Sequence, residues 1–418
     1  MRYSRLLLIF PALFLLPMVP SAHKQTASEV DWGFFGHRRI NRLAVFTLPS
    51  ELIGFYKKNI EFITEHAVDP DKRRYATKHE AVRHYIDIDH WGTYPFENVP
   101  RDWTDALMRY TEISLVDSQG DTVQLFGAGW HQTEGDRLFF EKGPLADRGK
   151  ELSTSAYRKF FRDEIQSNYY ADEWPVSCKA LQELLGLELD CVAVFAIDHF
   201  SEYGILPYNL LRMQNLLTNA FLEGDVKKIL RYSAEFGHYV GDAHVPLHTT
   251  ENYNGQLTGQ DGIHAFWESR LPELYADNDY DFFVGAAEYI ADPQSYFWDI
   301  VLTSHSYVDS VFAIERHLSE TFPRDRQYCF EERLGRMIRT QCEEYAEAYH
   351  EALKGQVEAR MRASVLSVGS VWYTAWVDAG QPDLDFDLNA ALNEQFLKEQ
   401  EELEQAFQGG DSKGRKHE

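Results

Sequence analysis

The sequence predicts an all-α protein. Apolar residues recur at helical spacing along most of the chain, and alternating strand patterns are few. The residues best suited to chemistry also come in pairs four apart, which share a face only when the backbone is helical.

Taken in order, GHRRINRLAVFTL (residues 36–48) carries helical periodicity, and Leu48-Pro49-Ser50-Glu51 starts a second helix after a turn. Tyr157 to Glu164, Ala180 to Leu187 and Pro207 to Leu222 continue the pattern. Asp225 to Val240 leads directly into GHYVGDAHVPLHT at 237–249. Further helices are expected over 290–320 and in the Glu/Arg-rich run Arg326 to Arg362. In that run Met337, Ile338, Tyr345, Ala348 and Leu353 are the expected buried positions. One small hairpin is expected over Ser114 to Phe126, around Ser118-Gln119-Gly120-Asp121.

Arg2 and Arg5 precede an apolar run from Leu6 to Val19, with small residues at Ser21 and Ala22. This pattern predicts a secretory signal peptide over residues 1–22 and an exported, periplasmic or secreted protein. No later segment reads as apolar enough to span a bilayer. Four cysteines stand as two local pairs, Cys178 with Cys191 and Cys329 with Cys342, an even count that permits two short-loop disulfides. Residues 23–398 are expected to form one domain, because the chemically suited residues come from segments scattered between 32 and 268. Residues 399–418 read as a flexible polar tail.

Sixty-six acidic residues against 41 basic ones leave a formal charge of −25. That balance argues against a stable nucleic-acid complex held by a broad phosphate-neutralising surface. It leaves open an enzyme whose metal ions supply positive charge locally.

Within GHYVGDAHVPLHT, His238 and Asp242 lie four apart, and His248 follows just past Pro246. Sixteen residues later HAFWE repeats the spacing with His264 and Glu268. Imidazole nitrogens with carboxylate oxygens, and no thiolate among them, suit Zn²⁺. Ionised carboxylates do not enter a core unpaired, so packing alone is a poor account of five such residues together. Upstream, AVDPDKRRY offers Asp69 and Asp71, RHYIDIDH offers His84, Asp87, Asp89 and His90, and WGFFGH offers Trp32 and His37. Composition does not choose among these.

WGFFGH, Asp69, HYID, HYVGDAHVPLH and HAFWE, in this order, resemble the zinc-dependent phospholipase C and P1/S1 nuclease superfamily over residues 32–275. The resemblance implies a largely helical domain with two or three zinc ions in one cleft. Asp69, His84, His238 and Asp242 would hold the first ion, and His248, His264 and Glu268 the second. His37, a shared Asp242 and backbone atoms of Trp32 would hold the third. Asp69 is preferred to Asp71 on its spacing of 15 residues to His84, with Asp71 as the alternative. In the family the tryptophan is normally the first residue of the mature enzyme. Here His23 to Asp31 precede it, which puts the third ion in question. The implied activity is a phosphoric diester hydrolase, phospholipase C-like, that acts on phospholipid or related diesters, with Asp69, Asp242 and Glu268 at the chemistry. The alternatives are a single-strand nuclease or 3′-nucleotidase and, from a different class, a secreted helical module with a structural zinc.

Overall fold

The computed structural model describes residues 34–171, 173–333, 336–384, 394–410 and 412–413. The expected signal segment 1–22 and Trp32 lie outside the described residues.

A long helix, buried on every side over its last turns, organises the molecule. Asp225 caps it by accepting a hydrogen bond from the Lys228 backbone N–H at 3.1 Å. The helix, Val226–Ala243, then runs with every residue from Ser233 onward buried. We number the helices that position the site α1 (Phe34–Ala44), α2 (Asp69–Arg73), α3 (Leu206–Glu223), α4 (Val226–Ala243), α5 (Pro293–His305), α6 (Gln356–Asp378) and α7 (Glu394–Gln408). One apolar core joins α1, α3, α4, α5 and α6 through residues such as Ile40, Leu217, Phe236, Phe297, Val365 and Trp372. Residues well beyond the motif-bearing region thus complete the core around α4.

Close approach at α4 is bought with glycine. Asn41 Nδ2 on α1 donates to Ala234 O at 2.9 Å and to Ile63 O at 3.3 Å, stitching three segments together. A Cβ at Gly237 would collide with the Asn41 carboxamide, and one at Gly241 would stand 2.9 Å from His37 Nδ1. Both glycines of GHYVGD therefore keep α1 against α4.

The all-α expectation is overturned. Among the described residues the fold is mixed α/β, 58% helix and 11% strand, with three antiparallel sheets. Between residues 103 and 200 the helical body carries an insertion. Its first sheet has the order β2-β1-β7-β6, with β1 at Thr111–Val116, β2 at Thr122–Phe126, β6 at Trp174–Val176 and β7 at Ala193–Asp198. The expected hairpin is the β1–β2 pair, Leu115 lying opposite Val123. The second sheet has the order β3-β4-β5, at His131–Glu134, Arg137–Phe140 and Glu151–Ser153. A separate apolar cluster fills the insertion, with Leu107, Ile113, Phe126, Tyr157, Phe161 and Leu181 at its centre. Trp103 and Tyr169 pack against both cores.

A second correction falls on the Glu/Arg-rich run. Its first part is a hairpin, β8 (Tyr328–Arg333) with β9 (Arg336–Gln341), tied at its base by the Cys329–Cys342 disulfide. Met337 is 63% exposed there, not buried, whereas Tyr345 and Leu353 in the helical part are buried. Cys178 and Cys191 are also joined, so both local cysteine pairs are disulfides. The stretch expected as a tail from Glu399 runs within α7 as far as Gln408.

Gly237→Ala should destabilise the protein by about 1–3 kcal/mol through overpacking against Asn41. Gly54→Ala has open space at its Cβ within a helix, and should be neutral or stabilising by up to about 1 kcal/mol. Urea unfolding with unchanged slope would separate the two.

Candidate metal centre

Three groups of potential ligands converge at the buried end of α4. They are His37, His238 and Asp242; Asp71, His84 and His238; and His248, His264 and Glu268. Within each group the ligand atoms all lie within 4.8 Å of one another. Each residue is placed by a distinct local device. His238 and Asp242 share one face of α4, and His37 is presented by α1 across the Gly241 gap. His248 lies on a single 3-10 turn, Pro246–Thr249, begun by a proline. His264 and Glu268 follow one another into a π-helical turn, Phe266–Arg270, the kind of local widening common at functional sites. His84 lies on the segment leading into 85–88, which pairs with the 3-10 turn: Ile86 N donates to His248 O at 2.9 Å, and His248 Nδ1 donates to His84 O at 2.5 Å.

The tautomers follow from the carbonyls. His238 Nδ1 stands 2.8 Å from Ala67 O, which can only accept, so the ring proton is on Nδ1 and Nε2 carries a lone pair. The same argument puts a lone pair on His248 Nε2. His238 Nε2 then faces His84 Nδ1 at 3.1 Å, Asp242 Oδ2 at 3.4 Å and Asp71 Oδ1 at 3.6 Å. His248 Nε2 faces His264 Nε2 at 3.2 Å and Glu268 Oε2 at 3.3 Å.

Asp242 stands between all three groups. Its Oδ2 is 3.0 Å from His84 Nδ1, while its Oδ1 is 3.3 Å from His37 Nε2 and 4.0 Å from His248 Nε2. Neither oxygen makes a well-formed hydrogen bond, although the residue is 1% exposed. Lone pairs converging in a dry interior repel one another, and a cation between them reverses the sign. The donor set therefore fits divalent metal, and each group offers ligands of the type zinc takes.

Electrostatics of the bare groups agree. Burial, then the neighbouring Asp71 and Glu268 carboxylates, pushes the Asp242 carboxyl well above its ordinary range. Burial also raises Asp71. Burial holds His84 and His238 well below the usual imidazole value, which leaves them neutral and ready to ligate. For Glu268 burial acts upward, but the facing imidazoles of His248, His264 and His37 outweigh it and hold the carboxyl well below its ordinary range.

Of the residues expected at the site, His37, His84, His238, Asp242, His248, His264 and Glu268 come together here. Asp69 does not. Its Oδ2 accepts from His66 Nδ1 at 2.7 Å and from Gln400 Nε2 at 3.1 Å, and Asp71 stands in its place beside His84. Two residues along a helix turn a side chain by about 200°, so Asp69 and Asp71 face opposite ways on α2. His244 stays outside the groups, with Nδ1 donating to Val240 O at 2.8 Å and Nε2 near Ser367 Oγ.

The sequence reading missed the support behind His84. Glu80 is fully buried, with Oε1 3.7 Å from His84 Nε2. Tyr239 O–H donates to Glu80, as do Arg83 Nη1 at 2.7 Å and Arg73 Nη1 at 3.4 Å, and Arg73 also bonds Glu235. The four-residue spacing of Glu80 and His84 was the available signal. Arg73 and Arg83 are thus tied to buried acids. Compared with known proteins, the chain matches no protein-family model and no curated protein sequence.

Two outcomes are expected of the metal content. Asp71→Asn should lower the zinc bound per chain and Asp69→Asn should leave it unchanged, as elemental analysis will show. Zinc uptake by stripped protein at pH 7 should release protons from Asp242, so affinity should fall as pH drops. Titration with a pH indicator in weak buffer measures this directly.

Proposed function

We propose that this chain is a zinc-dependent hydrolase of phosphoric diesters, phospholipase C-like in its preference for phospholipid or related diesters. The observation that carries the reading is the set of three His/carboxylate groups hinged on one buried aspartate. A phosphodiester is anionic and shielded from nucleophiles, and a cluster of cations answers both obstacles. Bound zinc supplies charge neutralisation, Lewis acidity and a water whose pKa falls from about 15.7 toward about 7. The order of WGFFGH, HYID, HYVGDAHVPLH and HAFWE supports the same assignment by resemblance.

The chain's own residues have separable roles in this proposal. His84, His238 and Asp71 would hold one ion, His248, His264 and Glu268 a second, and His37 with Asp242 a third. Asp242, within 4.0 Å of His37, His84 and His248, would be shared between neighbouring positions. At 16% exposure Asp71 is the most accessible of the eight. Its carboxyl, raised by burial, is suited to take the proton of the attacking water. Ala67 O and His84 O fix the imidazoles in their ligating tautomers, as partners behind a metal ligand do. The pattern at 1–22 and the disulfides Cys178–Cys191 and Cys329–Cys342 support a site of action outside the cytoplasm, where such bonds persist.

The assay pairs phosphatidylcholine with single-stranded DNA, each with and without chelator, beside His238→Ala. Chelator-sensitive headgroup phosphate release is expected. Loss of His238 should cost more than the roughly 10–100-fold typical of losing an outer partner of a metal ligand. Nucleotide release in place of lipid cleavage would move the substrate to nucleic acid, and a zinc-free, inactive protein would overturn the catalytic reading.

A further inference from the structure

We infer that Glu331, on the disulfide-tied hairpin, is a positioning residue for the metal group His248, His264 and Glu268. The inference rests on the hydrolase reading above and adds to it a residue that governs how tightly one ion is held. The π-helical turn Phe266–Arg270 has two working faces. Glu268 turns toward the other ligands, with Oε2 2.7 Å from His264 Nε2 and 3.3 Å from His248 Nε2, and Oε1 3.6 Å from His37 Nε2. Arg270 follows two residues later, which puts its side chain on roughly the opposite side of the turn. It is 2% exposed, and a guanidinium that deep requires an anion. Glu331 supplies one. Arg270 Nη1 donates to Glu331 Oε2 at 3.0 Å and Nη2 to Oε1 at 2.5 Å, a bidentate pair that fixes direction as well as distance. Holding the guanidinium holds the rotation of the turn, and that rotation decides where Glu268 points.

Glu331 is delivered by a stiff mount. It lies on β8 two residues after Cys329, so the two share one face of the strand. The Cys329–Cys342 bond closes the base of the β8–β9 pair, in which Glu331 lies opposite Ile338. The chain just beyond the hairpin grips the same turn again. Phe266 packs on Tyr345 and Tyr349 of the helix Glu343–Ala352, with ring centroids 5.6 and 4.7 Å away. Trp267 Nε1 donates to Gln356 Oε1 at 3.0 Å, at the start of α6. These contacts are neutral and keep the turn in place, whereas the Glu331 contact answers a buried charge.

That difference has a consequence for the metal. With Glu331 made neutral, Arg270 keeps a full positive charge in the interior, two residues from a carboxylate that is to receive a dication. Like charges repel strongly where water is excluded. The guanidinium also gains by swinging outward to solvent, and the turn that carries Glu268 twists with it. Both effects weaken the ion held by His248, His264 and Glu268. Asp71, His84 and His238 come from other segments, α2, the chain leading to His84, and α4, so their group is affected less.

The test titrates full-length zinc-loaded protein with a chromogenic chelator and compares it with Glu331→Gln, His264→Ala, Glu344→Gln and Arg270→Met/Glu331→Leu. Glu331→Gln should weaken the least tightly held zinc by about 10–100-fold, the range for losing a partner that supports a metal ligand. It should then retain as much zinc per chain as His264→Ala. Glu344→Gln, which breaks the exposed pair with Arg326 near the hairpin, should match the unaltered protein. The double variant removes the stranded charge together with its partner and should recover zinc binding. If it does not fold, Glu331→Asp decides the same point by retaining more zinc than Glu331→Gln. Unchanged zinc affinity in Glu331→Gln overturns the inference, even where urea unfolding shows a loss of stability. Turnover of bis(p-nitrophenyl) phosphate is measured alongside. If no form cleaves it, the hydrolase reading fails while the zinc titrations still decide the role of Glu331, and an unaltered chain that takes up no zinc overturns both.

Discussion

The structure depends on one buried carboxylate. Asp242 ends the fully buried half of α4 with imidazoles on three sides and no hydrogen-bond donor of its own. Ionised and alone it would be among the most costly groups in the interior, and burial accordingly drives it toward its protonated form. Everything near it is arranged to make that carboxylate useful. Gly241 admits His37, Gly237 admits the Asn41 anchor, and Ala67 O and His84 O aim two imidazole lone pairs inward. Remove the carboxylate and these devices have no common target.

The second constraint is the segment from Val82 to Ile88, which is held along both edges. Ile205 N donates to Val82 O at 2.7 Å and Leu206 N to Tyr85 O at 3.1 Å on one side, with the His248 turn on the other. Gly204, at φ +90°, is needed for that approach, since a Cβ there would collide with the Tyr85 carbonyl. Beneath it, Glu80 and Glu235 share Arg73, with Arg83 and Arg231 each bound to one of them. Truncating one member of such a network leaves a buried charge unpaired, so each of these arginines and glutamates depends on the others.

What was legible in the sequence follows the range of the interactions involved. The i,i+4 pairs His238/Asp242 and His264/Glu268 were readable because helical periodicity is local. The choice between Asp69 and Asp71 was not, because α2 is five residues long and its rotation is set by tertiary contacts: His66 turns Asp69 away. The insertion escaped for a related reason. β3 reads His-Gln-Thr-Glu and β5 Glu-Leu-Ser, too short and too polar to display a period of two. The β8–β9 hairpin hid behind arginines and glutamates that look like an exposed helix, and its base is set by Cys329–Cys342.

Metal and fold are best regarded as one equilibrium. The eight candidate ligands come from five stretches of chain: α1, α2 through His84, α4, the turn after Pro246, and the π-helical turn. Without cations, those stretches bring carboxylates and lone pairs together at a cost in repulsion and desolvation. With cations the same contacts become attractive, and binding to the folded chain alone adds stability in proportion to the logarithm of ligand over Kd. The part of the molecule least comfortable by itself would then be the part most consolidated by bound cations. The glycines, carbonyls and buried arginine network bring the ligands close enough for that exchange. The same inward-facing geometry leaves Asp71, beside α2's contact with α7, as the ligand nearest to solvent.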